Sequence, residues 1–95
     1  MNDEKELQLD LHGFKLFEAR MELCEDVLEA AEDGYESVHV IHGFNRGHVI
    51  KDYLRGRDGF LNDLRRRYPE CPHIRLKPSG EGSTMITFQR KETNA

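Results

Sequence analysis

The sequence predicts one small α/β domain, a two-layer sandwich in which a mixed four-stranded sheet carries two helices on one face. Short segments of alternating apolar and polar residues are separated by longer segments whose apolar residues recur at helical spacing. The chain has 95 residues, of which 37% are hydrophobic and 34% charged, a composition that supports one modest core and excludes an intrinsically disordered chain. Its strands alternate in character, so we expect one sheet face to remain open to water.

The first half of the chain predicts a strand, a helix and a second strand. In residues 7–12 apolar and polar side chains alternate, which predicts a strand. Residues 37–42 form a short segment rich in β-branched residues, which also predicts a strand. Between them, a helix is predicted to end at residues 32–34, where Gly34 suits the position after a helix. The apolar stripe predicted for this helix comprises Leu16, Ala19, Leu23, Val27, Leu28 and Ala31.

The second half predicts a broken helix and two more strands, which gives the order β-α-β-α-β-β. A helix should begin near residues 46–48 and break at Gly56 and Gly59, two helix-breaking residues close together. It should resume at Phe60 and end before Tyr68, which precedes a proline. Residues 74–77 and 85–88 predict strands, and residues 78–82 a loop. The inward side chains of the second helix are predicted to be Val49, Ile50, Tyr53 and Leu54.

The predicted domain covers residues 7–88, with a short polar arm at residues 1–6 and a polar tail at residues 89–95. The first residues are charged and lack the apolar stretch of a signal peptide, and no apolar run is long enough to cross a bilayer. Cys24 and Cys71 are expected to be reduced thiols, because two cysteines in this context do not form a disulfide framework. We therefore expect a cytoplasmic protein without a membrane partner.

The net charge of −4 conceals a strong polarity along the chain. Residues 1–36 contain 12 acidic and 3 basic side chains, whereas residues 46–77 contain 9 basic and 4 acidic ones. A polyanion such as nucleic acid should therefore approach the middle and C-terminal half and be repelled by the first helix.

Two similar steps, residues 11–14 and 41–44, each place a histidine and a glycine between a strand end and a helix. Strands joined through a helix are normally parallel neighbours, so His12 and His42 should reach the same edge of the sheet. Ligands of α/β folds bind at that edge, where helix N-termini favour phosphate. Gly13 and Gly43 are therefore candidate ligand contacts.

Further candidate contacts lie in two loops and on the third strand. Arg75 and Lys77 should project from that strand to the open sheet face and contact backbone phosphates, and Phe14 and Phe44 could stack on bases. The loop residues predicted to approach nucleic acid are Asn45, Arg46, Gly47 and His48 after the second strand, and Gly82, Ser83 and Thr84 before the last.

These motifs together resemble the Smr (small MutS-related) domain family over residues 7–88. The resemblance is carried by LDLHG at residues 9–13, the Glu18-Ala19 pair, HGFNRG at residues 42–47 and the small residues 82–84. Asn45 and Phe44 depart from the HGxGxG loop that the family carries at this place. The resemblance implies a fold similar to the C-terminal domain of translation initiation factor three. It also implies nucleic-acid binding and, in some members, endonuclease activity on branched or looped DNA or on RNA.

Two cleavage mechanisms are compatible with the residues. In the first, Asp10, His12 and His42 hold a divalent metal, Mn²⁺ or Mg²⁺, that polarises the phosphate and activates water. In the second, the two histidines act without a metal as general base and general acid on an RNA 2′-hydroxyl, while Arg46 stabilises the developing charge. The sequence leaves both open, as it does DNA against RNA.

Two functions of other classes remain possible. The acidic first helix, with Glu22, Glu25 and Glu29, could dock a protein partner in a non-catalytic interaction module. The helix N-termini at the histidine–glycine edge could instead bind a small phosphorylated ligand such as a nucleotide.

Overall fold

The computed structural model describes residues 6–43, 48–56, 59–80 and 82–89. The elements are β1 (Glu6–Asp10), α1 (Leu16–Glu32), β2 (Ser37–Ile41), α2 (His48–Arg55), α3 (Phe60–Arg67), β3 (His73–Pro78) and β4 (Ser83–Gln89). The predicted order is confirmed, and the predicted helix break separates α2 from α3. Most of the predicted arm and tail lies outside the described residues, although Glu6 and Gln89 belong to strands.

The four strands form one mixed sheet in the order β1-β2-β4-β3. β1 and β2 are parallel, whereas β4 runs antiparallel to both β2 and β3. The mixed four-stranded sheet of the prediction is therefore confirmed. This order leaves β1 and β3 as the two edge strands.

One face of the sheet is buried under the helices and the other is open. Residues that alternate with the buried ones form a row across the open face, in which Gln8, His39, Met85 and Lys77 are paired in register. The buried apolar core draws on all three helices and on the inward strand positions. Its members are Leu11, Ala19, Leu23, Cys24, Val27, Ala30, Val38, Val40, Ile50, Leu54, Phe60, Leu64, Ile86 and Phe88.

At the start of α1 the Glu18 carboxylate accepts a hydrogen bond of 3.0 Å from the Lys15 backbone N–H, which satisfies a free donor of the helix end.

The first turns of α1 and α2 differ from the prediction. The predictions that Leu16 and Val49 face inward are wrong, because these side chains are 37% and 43% exposed. Both residues occupy the first turn of their helix, in which Ala19 and Ile50 are buried instead.

A buried carboxylate holds the helical layer together. Asp63 on α3 is 7% exposed and accepts hydrogen bonds from the Tyr53 hydroxyl at 2.7 Å, from Arg20 at 3.2 Å and from Arg66 at 2.9 Å. The bond from Tyr53 and the two arginine charges hold the pKa of Asp63 below its ordinary value, although burial opposes them. Because its donors come from α1, α2 and α3, Asp63 fixes the three helices relative to one another.

The corner between α2 and α3 requires glycine. A Cβ atom on Gly59 would lie 2.2 Å from the carbonyl oxygen of Tyr53, so no larger residue fits without moving the backbone. Among the residues that the structure describes, no helix is long and apolar enough to cross a membrane. Cys24 is buried and Cys71 is half-buried, and the two cysteines do not form a disulfide.

Candidate functional site

Two histidine–glycine steps meet at one edge of the sheet. β1 and β2 are parallel, so their carboxyl ends lie side by side. Just beyond β1, the Leu11 N–H donates a hydrogen bond of 2.7 Å to the Ile41 carbonyl oxygen. A Cβ atom on Gly43 would lie 3.5 Å from the Cβ of His12, so the two steps are neighbours, as their spacing predicts.

Both glycines turn the chain with a left-handed backbone conformation. Gly13 has a φ of 88° and Gly43 a φ of 83°. Residues with a Cβ atom rarely adopt such values, which explains why each strand end is followed by glycine at this edge.

The first step carries an exposed histidine held by an aspartate. Oδ1 of Asp10 accepts a hydrogen bond of 3.1 Å from the backbone N–H of His12 and lies 2.9 Å from the ring Nδ1. The side chains of His12 and Asp10 are 71% and 55% exposed. The side-chain bond from His12, together with the backbone bond, holds the pKa of Asp10 below its ordinary value. Because Nδ1 is committed to Asp10, Nε2 of His12 remains open to solvent.

The second step carries a buried histidine. His42 is 1% exposed. Its Nε2 lies 3.0 Å from the Thr84 hydroxyl oxygen, and its Nδ1 lies 3.1 Å from the Gly43 carbonyl oxygen. Both ring nitrogens are therefore occupied within the protein, and this ring does not reach a ligand bound outside the edge.

Arg55 determines which nitrogen of His42 carries the proton. Its Nε and Nη2 donate to the Thr84 hydroxyl oxygen at 3.0 and 2.8 Å, which occupies both lone pairs of that oxygen. The Thr84 hydroxyl hydrogen then points to Nε2 of His42, so that nitrogen accepts, and Nδ1 donates to the Gly43 carbonyl. The ring in this arrangement is neutral.

The electrostatic surroundings favour the same neutral form. Burial lowers the pKa of His42, and the positive charges of Arg55 and Lys51 lower it further, against the opposing effect of the bond to the Gly43 carbonyl. A cationic ring would need a second acceptor where the Arg55 guanidinium already lies.

The segment before β4 closes the edge from the other side. The Gly82 carbonyl oxygen accepts hydrogen bonds of 2.9 Å from the N–H groups of His42 and Gly43. The Ser83 hydroxyl donates to the Ser79 carbonyl, and the Ser83 carbonyl accepts from Arg55 at 3.2 Å. Thr84, predicted to contact nucleic acid, is instead fully buried, because its alternation along β4 turns it toward the helices.

Asp10, His12 and His42 do not fit a three-ligand metal site. His12 and Asp10 lie on the exposed side of the edge, whereas both nitrogens of His42 are used inside the protein. Within the described ranges, no group of three histidine, cysteine, aspartate or glutamate side chains is placed to hold a metal ion. The described side chains therefore supply no three-ligand set of the kind that the first cleavage mechanism assumed.

The predicted phosphate contacts on β3 lie on the open face. Arg75 and Lys77 are exposed, and register pairs them with Thr87 and Met85 of β4. With its amide oxygen turned toward Arg75, Gln89 accepts from Nε at 3.3 Å and from Nη2 at 3.0 Å. Since paired residues share a face, the register connects Lys77 to the side of the sheet that carries Asp10.

Part of the predicted loop lies outside the described residues. Phe44, Asn45, Arg46 and Gly47 belong to this part, and for His48 only the backbone, at the start of α2, is described. Their predicted contacts with nucleic acid stay predictions.

Sequence reasoning missed Arg55, which organises the buried side of this edge. It stands in the last turn of α2, where a basic residue is ordinarily explained by the helix dipole. Its partner Thr84 lies 29 residues away, so only the tertiary structure brings the two together.

Comparison with known proteins identifies the family of the chain. The Smr domain family model matches residues 9–89. Endonuclease MutS2 of Clostridium tetani (strain Massachusetts / E88) is 33% identical over 82 residues, which are 86% of this chain and 9% of that protein. The chain thus spans about a tenth of the length of this curated relative. The crystal structure of the Smr domain of Thermus thermophilus MutS2 superposes with a TM-score of 0.59 at 21% identity, covering 88% of this chain and 99% of that one. The chain belongs to the Smr domain family.

Proposed function

We propose that this Smr domain binds RNA across the histidine–glycine edge and the open sheet face, and that His12 takes part in cleaving its phosphodiester backbone. The observation that carries the proposal is the orientation of His12. Asp10 holds Nδ1 and leaves Nε2 exposed at an edge that also presents two left-handed glycine turns. A relative of this chain bears the name Endonuclease MutS2, which is consistent with this chemistry.

RNA suits this arrangement better than DNA. Nε2 of His12 would accept the proton of a 2′-hydroxyl, whose oxygen then attacks phosphorus and displaces the 5′ oxygen of the next nucleotide. The products are a 2′,3′-cyclic phosphate and, once a proton reaches the leaving oxygen, a 5′-hydroxyl. The Asp10 carboxylate stabilises the imidazolium that forms, as in other carboxylate–histidine pairs. DNA lacks this internal nucleophile, so its hydrolysis needs an activated water.

The open face offers a path for the phosphate backbone. From β1 to β3 the sheet measures about 14 Å, at about 4.8 Å between strands. Lys77 stands at the far end of this path on the same face as Asp10. Contacts to several phosphates release counterions, so binding should weaken linearly on logarithmic axes as salt increases.

The acidic residues of α1 orient this binding. Glu22, Glu25 and Glu29 lie on α1, and Glu22 and Glu25 line a cavity that extends to His12. Their charge repels a polyanion from α1, so the RNA backbone should reach His12 from the open sheet face that carries Arg75 and Lys77.

The test measures cleavage and binding of a short RNA hairpin and of its DNA counterpart. We expect His12→Ala to lower the cleavage rate at least about 100-fold, since a positioned general base contributes that much. His73→Ala is the matched control, because His73 is also exposed but stands at the start of β3, paired with Gln89. It should leave the rate within about twofold, as expected for a surface residue away from the reaction.

Binding has its own readout. Lys77→Gln should weaken RNA binding and reduce the slope of log affinity against log salt by about 0.7, the loss of one phosphate contact on a single strand. End-group analysis should find a 2′,3′-cyclic phosphate. Cleavage that persists in His12→Ala, or DNA cut with 5′-phosphate ends in preference to RNA, would contradict the proposed chemistry.

A further inference from the structure

An apolar ridge stands exposed on the outer face of α1. Phe17 is 63% and Met21 51% exposed, and they lie one helical turn apart. Adjacent exposed apolar side chains rimmed by charged residues are typical of protein interaction sites. Neither residue takes part in the proposed cleavage reaction, so the ridge needs another explanation.

Two cavities flank this ridge and share Phe17 and Met21 as a common wall. One, of about 270 Å³, has a basic far side, with Asp63 at its base. The other, of about 660 Å³, has an acidic far side and extends to His12, Gly13 and Phe14. The basic flank comprises Arg20, Arg66 and Arg67. The acidic flank comprises Glu18, Glu22 and Glu25.

Neither flank is neutralised within the part of the chain that the structure describes. Arg20 and Arg66 share the single carboxylate of Asp63, which leaves the basic flank with an excess of positive charge. The salt bridges among the described residues include none from the acidic flank. Burial, together with the neighbouring carboxylates of α1, raises the pKa of Asp26 to about 6.

We propose that this face is the interface with a second copy of the chain, with a two-fold axis running along the Phe17–Met21 ridge. Such an axis places the acidic flank of one copy opposite the basic flank of the other. It leaves each residue at the same height along the ridge in both copies. Phe17 and Met21 then pack on their counterparts, and the acidic flank of each copy meets the basic flank of the other, on both sides of the ridge. The surface is complementary to itself, as an isologous interface must be.

The charge pattern also fixes the orientation of the two copies. An axis perpendicular to the ridge would keep left and right unchanged and place acid against acid, which repels. The axis along the ridge makes the two α1 helices parallel. Both histidine–glycine edges then lie at the same end of the dimer.

This arrangement has a consequence that rests on the proposed function. The acidic flank lies beside His12, in the same cavity, where it opposes an approaching polyanion. In the dimer, Arg66 and Arg67 of the second copy would face this flank and cancel its charge. Dimerisation would therefore favour RNA binding at two neighbouring edges.

Sedimentation velocity of the full chain without nucleic acid tests the interface directly. We expect a dimer whose fraction grows from micromolar to near-millimolar concentration. Phe17→Ser should weaken self-association by more than about tenfold, as for a central interface residue. Val49→Ser is the matched control, because Val49 is 43% exposed but lies on α2, outside both cavities. It should leave the association unchanged.

A charge exchange tests the orientation. The double variant Glu22→Lys/Glu25→Lys and the single variant Arg67→Glu should each be monomeric, with circular dichroism melts confirming that they fold. Mixed together they should form a heterodimer, because on one side of the ridge an unaltered acidic flank meets an unaltered basic flank, and on the other the introduced lysines face the introduced glutamate.

A chain that stays monomeric at all concentrations would overturn the proposal. So would failure of the mixture to associate, or a monomer whose ridge instead binds a basic amphipathic peptide. Since no nucleic acid is present, loss of RNA binding or cleavage would leave this result untouched, and the two proposals fail separately.

Discussion

His12 and His42 follow parallel neighbouring strands and precede glycines with nearly the same φ, but their surroundings are opposite. His12 is largely exposed and its ring is oriented by one carboxylate, with Nε2 left open. His42 is buried, and both of its ring nitrogens are bound by groups of the protein. One sequence pattern thus yields a residue available for chemistry and a residue that supports the fold beneath it.

The difference originates in which alternate positions of each strand face the helices. In β1 the leucines face the helices, so Asp10 and His12 fall on the other side. In β2 it is Val38 and Val40 that face the helices, and His42 continues their row into the core. A shift of one residue in the position of a histidine relative to the apolar pattern therefore decides its role.

The largest predicted effect is on stability. His42→Ala should lower the free energy of unfolding by about 3 kcal/mol, because it empties a buried site and removes two hydrogen bonds. His12→Ala should change it by less than about 0.5 kcal/mol, as exposed substitutions do. Urea denaturation of both variants measures the contrast. Equal losses of stability would contradict the assignment of His42 to the core and of His12 to the surface.

The next effect isolates the network that holds His42. Thr84→Val keeps the shape of the side chain but removes the hydroxyl, which leaves Nε2 of His42 and the Arg55 guanidinium without their shared partner. The expected loss of stability is about 2 kcal/mol. Thr87→Val on the exposed face of the same strand is the control and should change stability by less than about 0.5 kcal/mol. Similar denaturation midpoints for the two variants would contradict the network.

Much of this fold could be predicted because it depends on local patterns. Apolar spacing located every strand and helix, and the pair Gly56 and Gly59 located the break between α2 and α3. The errors, Leu16 and Val49, fell in first helical turns. Ala19 and Ile50 in the same two turns are buried, so the predicted apolar stripe was one residue too wide at the start of each helix.

The site could be predicted less completely. The adjacency of Asp10 and His12, two residues apart on a strand end, was readable from alternation. His42 lies an even number of residues after Val38 and Val40, so the sequence already indicated that its side chain faces the core. A histidine just after a strand nevertheless invites a catalytic interpretation. The role of Arg55 depends on a contact with Thr84 across 29 residues, which no local pattern encodes.

A third prediction concerns the protonation of His42. Nitrogen-15 spectra of the imidazole rings should show His42 with its proton on Nδ1 and with a pKa below that of a free histidine. Because its pKa is lower in the folded than in the unfolded state, His42 contributes stability that is present above about pH 6.5 and is lost as the pH falls below it. Thr84→Val should move the proton or raise this pKa. A proton on Nε2 in the unaltered chain would contradict the assignment made from Arg55.

The smallest effect comes from Asp26. Its contribution to stability changes with pH in the direction opposite to that of His42, over an overlapping pH range. Burial and its neighbours Glu22, Glu29 and Glu25 raise the pKa of Asp26 to about 6. The folded state therefore binds the proton more tightly, and this contribution to stability is lost as the pH rises from about 4 through 6. Asp26→Asn cannot ionise, so it should stabilise the protein at pH 7.5 and have little effect at pH 4. The gain should be about 1 kcal/mol, because solvent screens this partly exposed carboxyl. Glu32→Gln, on the exposed end of the same helix, is the control. Thermal melts of the Asp26→Asn variant across pH would then show the pH dependence of stability that is due to His42, without the opposite contribution of Asp26. If Asp26→Asn leaves the melting temperature at pH 7.5 unchanged, the ionised Asp26 does not destabilise α1.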